Sequence, residues 1–80
     1  LIKIWFAPEA AEYIKEKKWH ESQEIIEQKN GSIIFKAEVA GIHDIKIWVM
    51  SWGANAKVIE PDSLRMEIRA EINSLLALYG

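Results

Sequence analysis

The chain of 80 residues is long enough for one domain, and its apolar share of 50% is well above that of a disordered chain. Twelve acidic residues against ten basic ones give a net charge of −2, which argues against a broad basic surface for duplex DNA. No cysteine is present, and no apolar run approaches the roughly 20 residues of a membrane span, so we expect a cytoplasmic domain without a membrane partner.

The first strand is predicted over Leu1–Phe6, where Lys3 and Trp5 share one face and the even-numbered apolar residues share the other. A helix follows from Pro8, a residue suited to the first helical turn, to about Lys18. One side of this helix carries Ala10, Tyr13, Ile14 and Lys17.

A β-hairpin is predicted next, with strands over Glu21–Gln28 and Ser32–Ala40. Asn30 and Gly31 tolerate the positive φ angles of a two-residue type I′ turn. Closing the hairpin at this turn pairs Lys29 with Ser32, Glu27 with Ile34 and Ile26 with Phe35. The first of the two strands is polar, which is typical of a sheet edge.

Helical spacing returns over Ile42–Trp52, and Gly53 is suited to the residue that ends this helix. A short strand follows over Ala56–Ile59. The last helix is predicted from Pro61 to about Tyr79. Its apolar stripe comprises Leu64, Ile68, Ile72, Leu75, Leu76 and Tyr79.

The order βαββαβ followed by a helix predicts an α+β fold of the ferredoxin-like kind. Right-handed crossovers give a four-stranded antiparallel sheet with two helices on one face and strands one and three in the centre. The third helix is additional. It has to bury its stripe beside the first two helices, over the open face of the sheet or against a second copy.

Neither catalysis nor metal binding is indicated. His20 and His43 are the only histidines and no zinc-binding spacing is present. Ser63 belongs to a helix start, and no serine lies in a GxSxG elbow. We therefore expect neither an enzyme nor a cofactor.

Trp5, Arg65 and Arg69 are the candidate contacts for a nucleotide or a single-stranded nucleic acid. An aromatic side chain on an open sheet face can stack on a base, and two arginines one helical turn apart can reach phosphates. In the alternative, Trp5 is covered by the last helix or a second copy. The arginines then pair on the surface with Glu60, Glu67 or Glu71, at under about 1 kcal/mol for each pair.

Four segments in this order resemble a known family: Trp19–Gln23 (WHESQ), Asn30–Ser32 (NGS), Ile47–Gly53 (IWVMSWG) and Ala56–Arg65 (AKVIEPDSLR). Together they resemble the C-terminal extension (WCX) domain of WYL-containing helix-turn-helix transcription regulators. The resemblance covers nearly the whole chain, from the opening strand to Tyr79.

The resemblance implies a non-catalytic regulatory domain of a bacterial transcription regulator, in which other domains contact DNA. Such a domain is expected to form homodimer contacts and to shape the effector site of an adjacent WYL domain. The chain starts in a strand without an initiator methionine and stops one residue past a helix, so we expect residues 1–80 to be a module of a longer regulator.

Sensor residues of the WYL domain have no counterpart in this chain. The motif residues that do carry over have mainly structural interpretations. Gly31 is suited to the turn, Gly53 to the end of a helix and Pro61 to the start of the last helix, and the paired tryptophans form a core stripe. These motif residues are Trp19, Gln23, Gly31, Trp48, Trp52, Gly53 and Pro61.

Overall fold

A four-stranded antiparallel sheet and three helices make up the fold, and the computed structural model describes all 80 residues. The strands are β1 (Ile2–Phe6), β2 (Glu24–Glu27), β3 (Ile33–Ala37) and β4 (Ala56–Glu60), and the helices are α1 (Pro8–Lys15), α2 (Ile42–Met50) and α3 (Asp62–Tyr79). The strand order β2-β3-β1-β4 confirms the ferredoxin-like arrangement with strands one and three in the centre. None of the three helices combines the length and the apolar character needed to cross a bilayer.

The segment between α1 and β2 is a loop rather than helix and strand, so both elements are shorter than predicted. The Gln23 side-chain oxygen accepts hydrogen bonds from the backbone N–H groups of Trp19 and His20, at 2.5 and 3.0 Å. The Trp19 indole N–H donates to the Ile14 carbonyl at 2.9 Å. The Ile14 carbonyl is one of the acceptors that a helix end leaves unpaired, and the indole bond satisfies it. Gln23 in turn pairs the backbone N–H groups of the loop that follows, so α1 can end at Lys15.

The β2–β3 hairpin is closed by a three-residue loop, and the predicted type I′ turn was wrong. Ile26 lies opposite Ile34, and Ile25 opposite Phe35, one residue away from the predicted register. Gly31 has φ of 90°, but no other type of residue has positive φ, so Asn30 lacks the conformation that a type I′ turn requires. Since a shift of one residue exchanges the two faces of a strand, Ile25 packs against the core and Ile26 stays exposed.

The core lies between the sheet and the helices. From α1 it takes Ala10, Ala11 and Ile14, whereas Tyr13 is exposed. The rings of Phe6 and Phe35 meet edge to face with centroids 6.3 Å apart. The twelve residues of the core are Ile2, Ile4, Phe6, Ala10, Ala11, Ile14, Ile33, Phe35, Ala37, Val49, Val58 and Leu64.

α3 packs beside α2 and against β4, which is one of the three places expected for it. Leu64 is fully buried and Ile68 partly buried, but the apolar side chains after them are exposed. An 18-residue helix is about 27 Å long, whereas a five-residue strand spans about 17 Å, so α3 overhangs β4. The exposed stripe of α3 consists of Ile72, Leu75, Leu76, Leu78 and Tyr79.

The left-handed conformation of Gly31 generates a first prediction. Gly31→Ala should lower the free energy of unfolding by about 1 kcal/mol, because a Cβ atom disfavours φ of 90°. Gly41→Ala is the matched control, since Gly41 has φ of −125° and an added Cβ meets nothing within 4 Å; its effect should stay within about 0.5 kcal/mol. Urea unfolding followed by tryptophan fluorescence measures both, and equal losses would contradict the assigned loop.

The boundaries of the core generate a second prediction. Ile14→Ala should lower the free energy of unfolding by about 2–5 kcal/mol, because it leaves a cavity under α1. Ile47→Ala makes the same chemical change on α2 at a residue that is 59% exposed, and its effect should be within about 0.5 kcal/mol. Both are helical positions, so helix propensity cancels in the comparison. A smaller loss for Ile14 than for Ile47 would refute this assignment of the core.

Candidate functional site

A groove of about 490 Å³ lies where β4, α3 and α2 meet, and we call it the β4–α3 groove. Its apolar lining residues are Val49, Ala56, Val58, Met66, Ile68 and Ile72. Its charged lining residues are Lys57, Asp62, Arg65 and Arg69. Most of the wall belongs to α3, because residues three or four apart in a helix share one side.

The rotation of α3 that turns its arginines into the groove is fixed by Leu64. This side chain has no solvent exposure and lies in the first turn of the helix. Arg65 follows it directly and Arg69 comes one turn later, so burial of Leu64 turns both arginines toward the border of the buried side. The groove is therefore a consequence of how α3 is anchored.

The cations of the groove make no ion pair. The sequence left open whether Arg65 and Arg69 pair with surface carboxylates, and in the structure they do not. Glu60 pairs instead with Lys3 at 3.1 Å, and Glu71 with Lys46 at 3.2 Å. The six ion pairs of the chain involve Lys3, Lys15, Lys18, Lys36 and Lys46 and neither arginine nor Lys57.

Lys15 shows the kind of pairing that the cations of the groove lack. It lies 3.0 Å from Glu27 and 3.3 Å from Glu12. Hydrogen bonds to these two carboxylates, first to Glu27, raise the pKa of Lys15 above its ordinary value. The cations of the groove have no such partners and keep their hydrogen-bonding capacity for a ligand or for water.

Trp5 does not join the two arginines. It lies on the open face of the sheet, opposite Ile34 on one side and Lys57 on the other, and is partly buried. A shallow pocket of about 280 Å³ there is lined by Trp5, Lys57 and Ile59. The three residues predicted to contact a ligand are therefore divided between two surfaces.

Lys57 was missed by the sequence analysis, although it borders both surfaces. A weak signal was present, because alternation along β4 puts Lys57 on the face opposite to the buried Val58. The β1–β4 register places Lys57 beside Trp5. The path of α3 along the sheet edge brings Arg65 to the same groove. Neither can be read from the spacing of residues.

Trp48 of α2 and Trp52, two residues past its end, lie on the core side of the domain, as their spacing predicts. Trp48 and Trp52 pack against the core, and the Trp48 ring centroid lies 5.6 Å from that of Phe6 and 5.3 Å from that of Phe35. Trp19 completes the cluster at 5.3 Å from Trp48. The indole nitrogens of Trp48 and Trp52 are buried without a hydrogen-bond partner.

The remaining motif residues set backbone geometry. Gly53 has φ of 60° and starts the 3₁₀ turn between α2 and β4. Pro61 is the residue before the first helical turn of α3. The Nδ1 atom of His20 lies 2.9 Å from the Ser22 hydroxyl in the loop before β2. No three side chains of His, Asp or Glu are grouped so that they could hold a metal ion.

Comparison with the models of known protein families identifies the family of this chain. The family model of the WCX domain matches residues 1–76, which is all of the fold except the end of α3. No curated protein sequence matches the chain. The WCX domain is associated with regulators and is not known as a catalytic family. Since the match extends over nearly the whole ferredoxin-like fold and its additional helix, the chain belongs to the WCX domain family.

Proposed function

We propose that residues 1–80 form a non-catalytic regulatory domain of a bacterial WYL-type transcription regulator, which holds two copies together and takes part in effector sensing by the adjacent WYL domain. Membership of the WCX family supports the regulatory role. DNA would be bound by other domains of the regulator, and a cytoplasmic location follows from that role. The self-association has its own support in α3.

The observation that carries the proposal is the exposed stripe of α3. Leu76 is 65% exposed, Leu78 is 80% exposed and Tyr79 is 88% exposed. A row of large apolar side chains on one helix is unfavourable in water, and larger patches of this kind mark interaction surfaces. No partner element of this chain covers the row, so a second molecule is the natural source of its burial.

A second copy fits this surface because the end of α3 is free of charge. The segment Ile72–Tyr79 contains no Lys, Arg, Asp or Glu. Two such segments related by a two-fold axis bring apolar side chains against apolar side chains without like-charge repulsion. Helices that pack against each other have axes about 8–10 Å apart, so side chains of this size can interdigitate between the two copies.

Sedimentation at micromolar concentration tests the self-association. We expect the parent chain to form a dimer and Leu78→Glu to remain monomeric, because the substitution brings a carboxylate into the apolar interface. Ile47→Glu is the matched control: it introduces the same charge at an exposed apolar residue of α2 and should leave the dimer intact. A parent chain that is monomeric at every concentration would overturn the proposed self-association.

Direct binding of a nucleotide or a single-stranded nucleic acid is the second candidate function. The observation in its favour is that Arg65 and Arg69 make no ion pair. Against it, Trp5 lies outside the β4–α3 groove, and no aromatic side chain lines that groove. Without a stacking partner, binding would depend on phosphate contacts alone and would weaken steeply with salt.

Titration of a labelled oligonucleotide at low and moderate salt tests this candidate. It predicts binding at low salt that the double substitution Arg65→Gln and Arg69→Gln removes. Lys29→Gln, which removes a cation from the β2–β3 loop, is the control and should leave binding unchanged. Absence of binding at low salt, where attraction to phosphate is strongest, would rule out the candidate for this domain.

A further inference from the structure

The cations of the β4–α3 groove are distributed differently from those of the rest of the chain. Five lysines form ion pairs, and Lys17 lies over the ring of Trp19 at 4.2 Å. Lys29, Lys57, Arg65 and Arg69 have neither kind of partner. Three of these four line one groove, in a chain whose net charge is −2.

Like charges that share a groove repel one another, and this costs stability unless an anion compensates. Asp62 lines the same groove and offsets one of the three cations. The remaining excess of two positive charges matches a ligand with one or two negative charges. A polyanion such as an oligonucleotide would bring far more negative charge than these side chains can neutralise.

The floor of the groove indicates the body of the ligand. Val49 and Val58 are buried and Ile68 is partly buried, so these aliphatic side chains are fixed by packing. The volume of about 490 Å³ lies within the range of roughly 300–1,000 Å³ typical of small-molecule sites. Since no aromatic side chain lines the groove, an aliphatic body finds a better complement there than a nucleobase does.

The head group follows from the arginines. A guanidinium group donates two parallel hydrogen bonds to a carboxylate, and Arg65 and Arg69 offer two such groups one helical turn apart. Lys57 of β4 also borders the groove. We propose that the β4–α3 groove is a binding site for an organic carboxylate with an aliphatic body.

This inference does not rest on the proposed self-association, although Ile72 belongs both to the groove and to the exposed stripe of α3. The two are kept apart by measuring binding in the Leu78→Glu background, in which the domain is expected to be monomeric. Leu78 does not line the groove. Failure of ligand binding and failure of dimerisation then appear in different experiments.

Octanoate, acetate and 1-octanol are the probes, with calorimetry for affinity and amide chemical shifts for the place of binding. We expect octanoate to bind and to shift residues of β4 and the first half of α3. Acetate lacks the aliphatic body and 1-octanol lacks the charge, so the affinity of each should be lower than that of octanoate by about tenfold or more. Equal binding of octanol and octanoate, or shifts confined to the end of α3, would overturn the assignment.

Substitutions at the groove provide the second arm. The pair Arg65→Gln and Arg69→Gln should weaken octanoate binding by about tenfold or more, since hydrogen bonds to charged groups are the strong ones. Lys29→Gln should leave it unchanged. Met66 is 71% exposed, so Met66→Glu and Met66→Gln should both fold, and only Met66→Glu should weaken binding. If octanoate fails to bind while an oligonucleotide binds through the same arginines, the carboxylate site is wrong and the nucleic-acid candidate is supported.

Discussion

The burial of Leu64 in the first turn of α3 determines most of what is distinctive about this domain. β4 ends at Glu60 and α3 starts at Asp62, so little chain is available to reposition the helix after the strand. Leu64 has no exposed surface and belongs to the core, and it therefore fixes the rotation of α3. Two surfaces follow from this one anchor. The first half of α3 forms a wall of the β4–α3 groove, and the second half extends beyond the sheet with its apolar stripe uncovered.

Paired and unpaired cations lie on different parts of the domain, which cannot be seen from its composition. Across the open face of the sheet, Lys3 pairs with Glu60 and Lys36 with Glu24, so Lys57 is the one strand lysine of that face without an ion pair. At the border of β4 the cations are uncompensated, although the chain as a whole is acidic. Surface ion pairs contribute little stability, so the energetic contrast between the two surfaces is small. Their chemical contrast is larger, because three of the four cations without an ion-pair or aromatic partner line the groove.

The fold could be predicted from the sequence because each element carries its own local signal. Alternation identified β1 and helical spacing identified α2 and α3, and right-handed crossovers then leave few topologies. The hairpin register could not be predicted in the same way, because Asn30 and Gly31 fit both a two-residue and a three-residue loop. The ends of α1 and β2 around the segment Trp19–Gln23 could not be predicted either, because the backbone N–H groups that bond to Gln23 are then not available to a helix or a strand. The same limit applies to the site: Arg65 and Arg69 could be identified by their spacing, but Lys57 reaches them only through the tertiary path of α3.

Ile72 lies where the two proposed roles meet, since it lines the β4–α3 groove and is half exposed as the first member of the apolar stripe. Ile72 would therefore lose exposed surface either to a ligand in the groove or to a second copy on the stripe. If a ligand in the groove orders Ile72, a second copy that packs on the stripe has less side-chain freedom to remove, and the two events favour each other. Thermodynamic reciprocity then requires that dimerisation strengthen ligand binding by the same factor. α3 is suited to such coupling because it is one continuous helix. A ligand that shifts its first half at the groove also shifts its second half, which carries the exposed stripe.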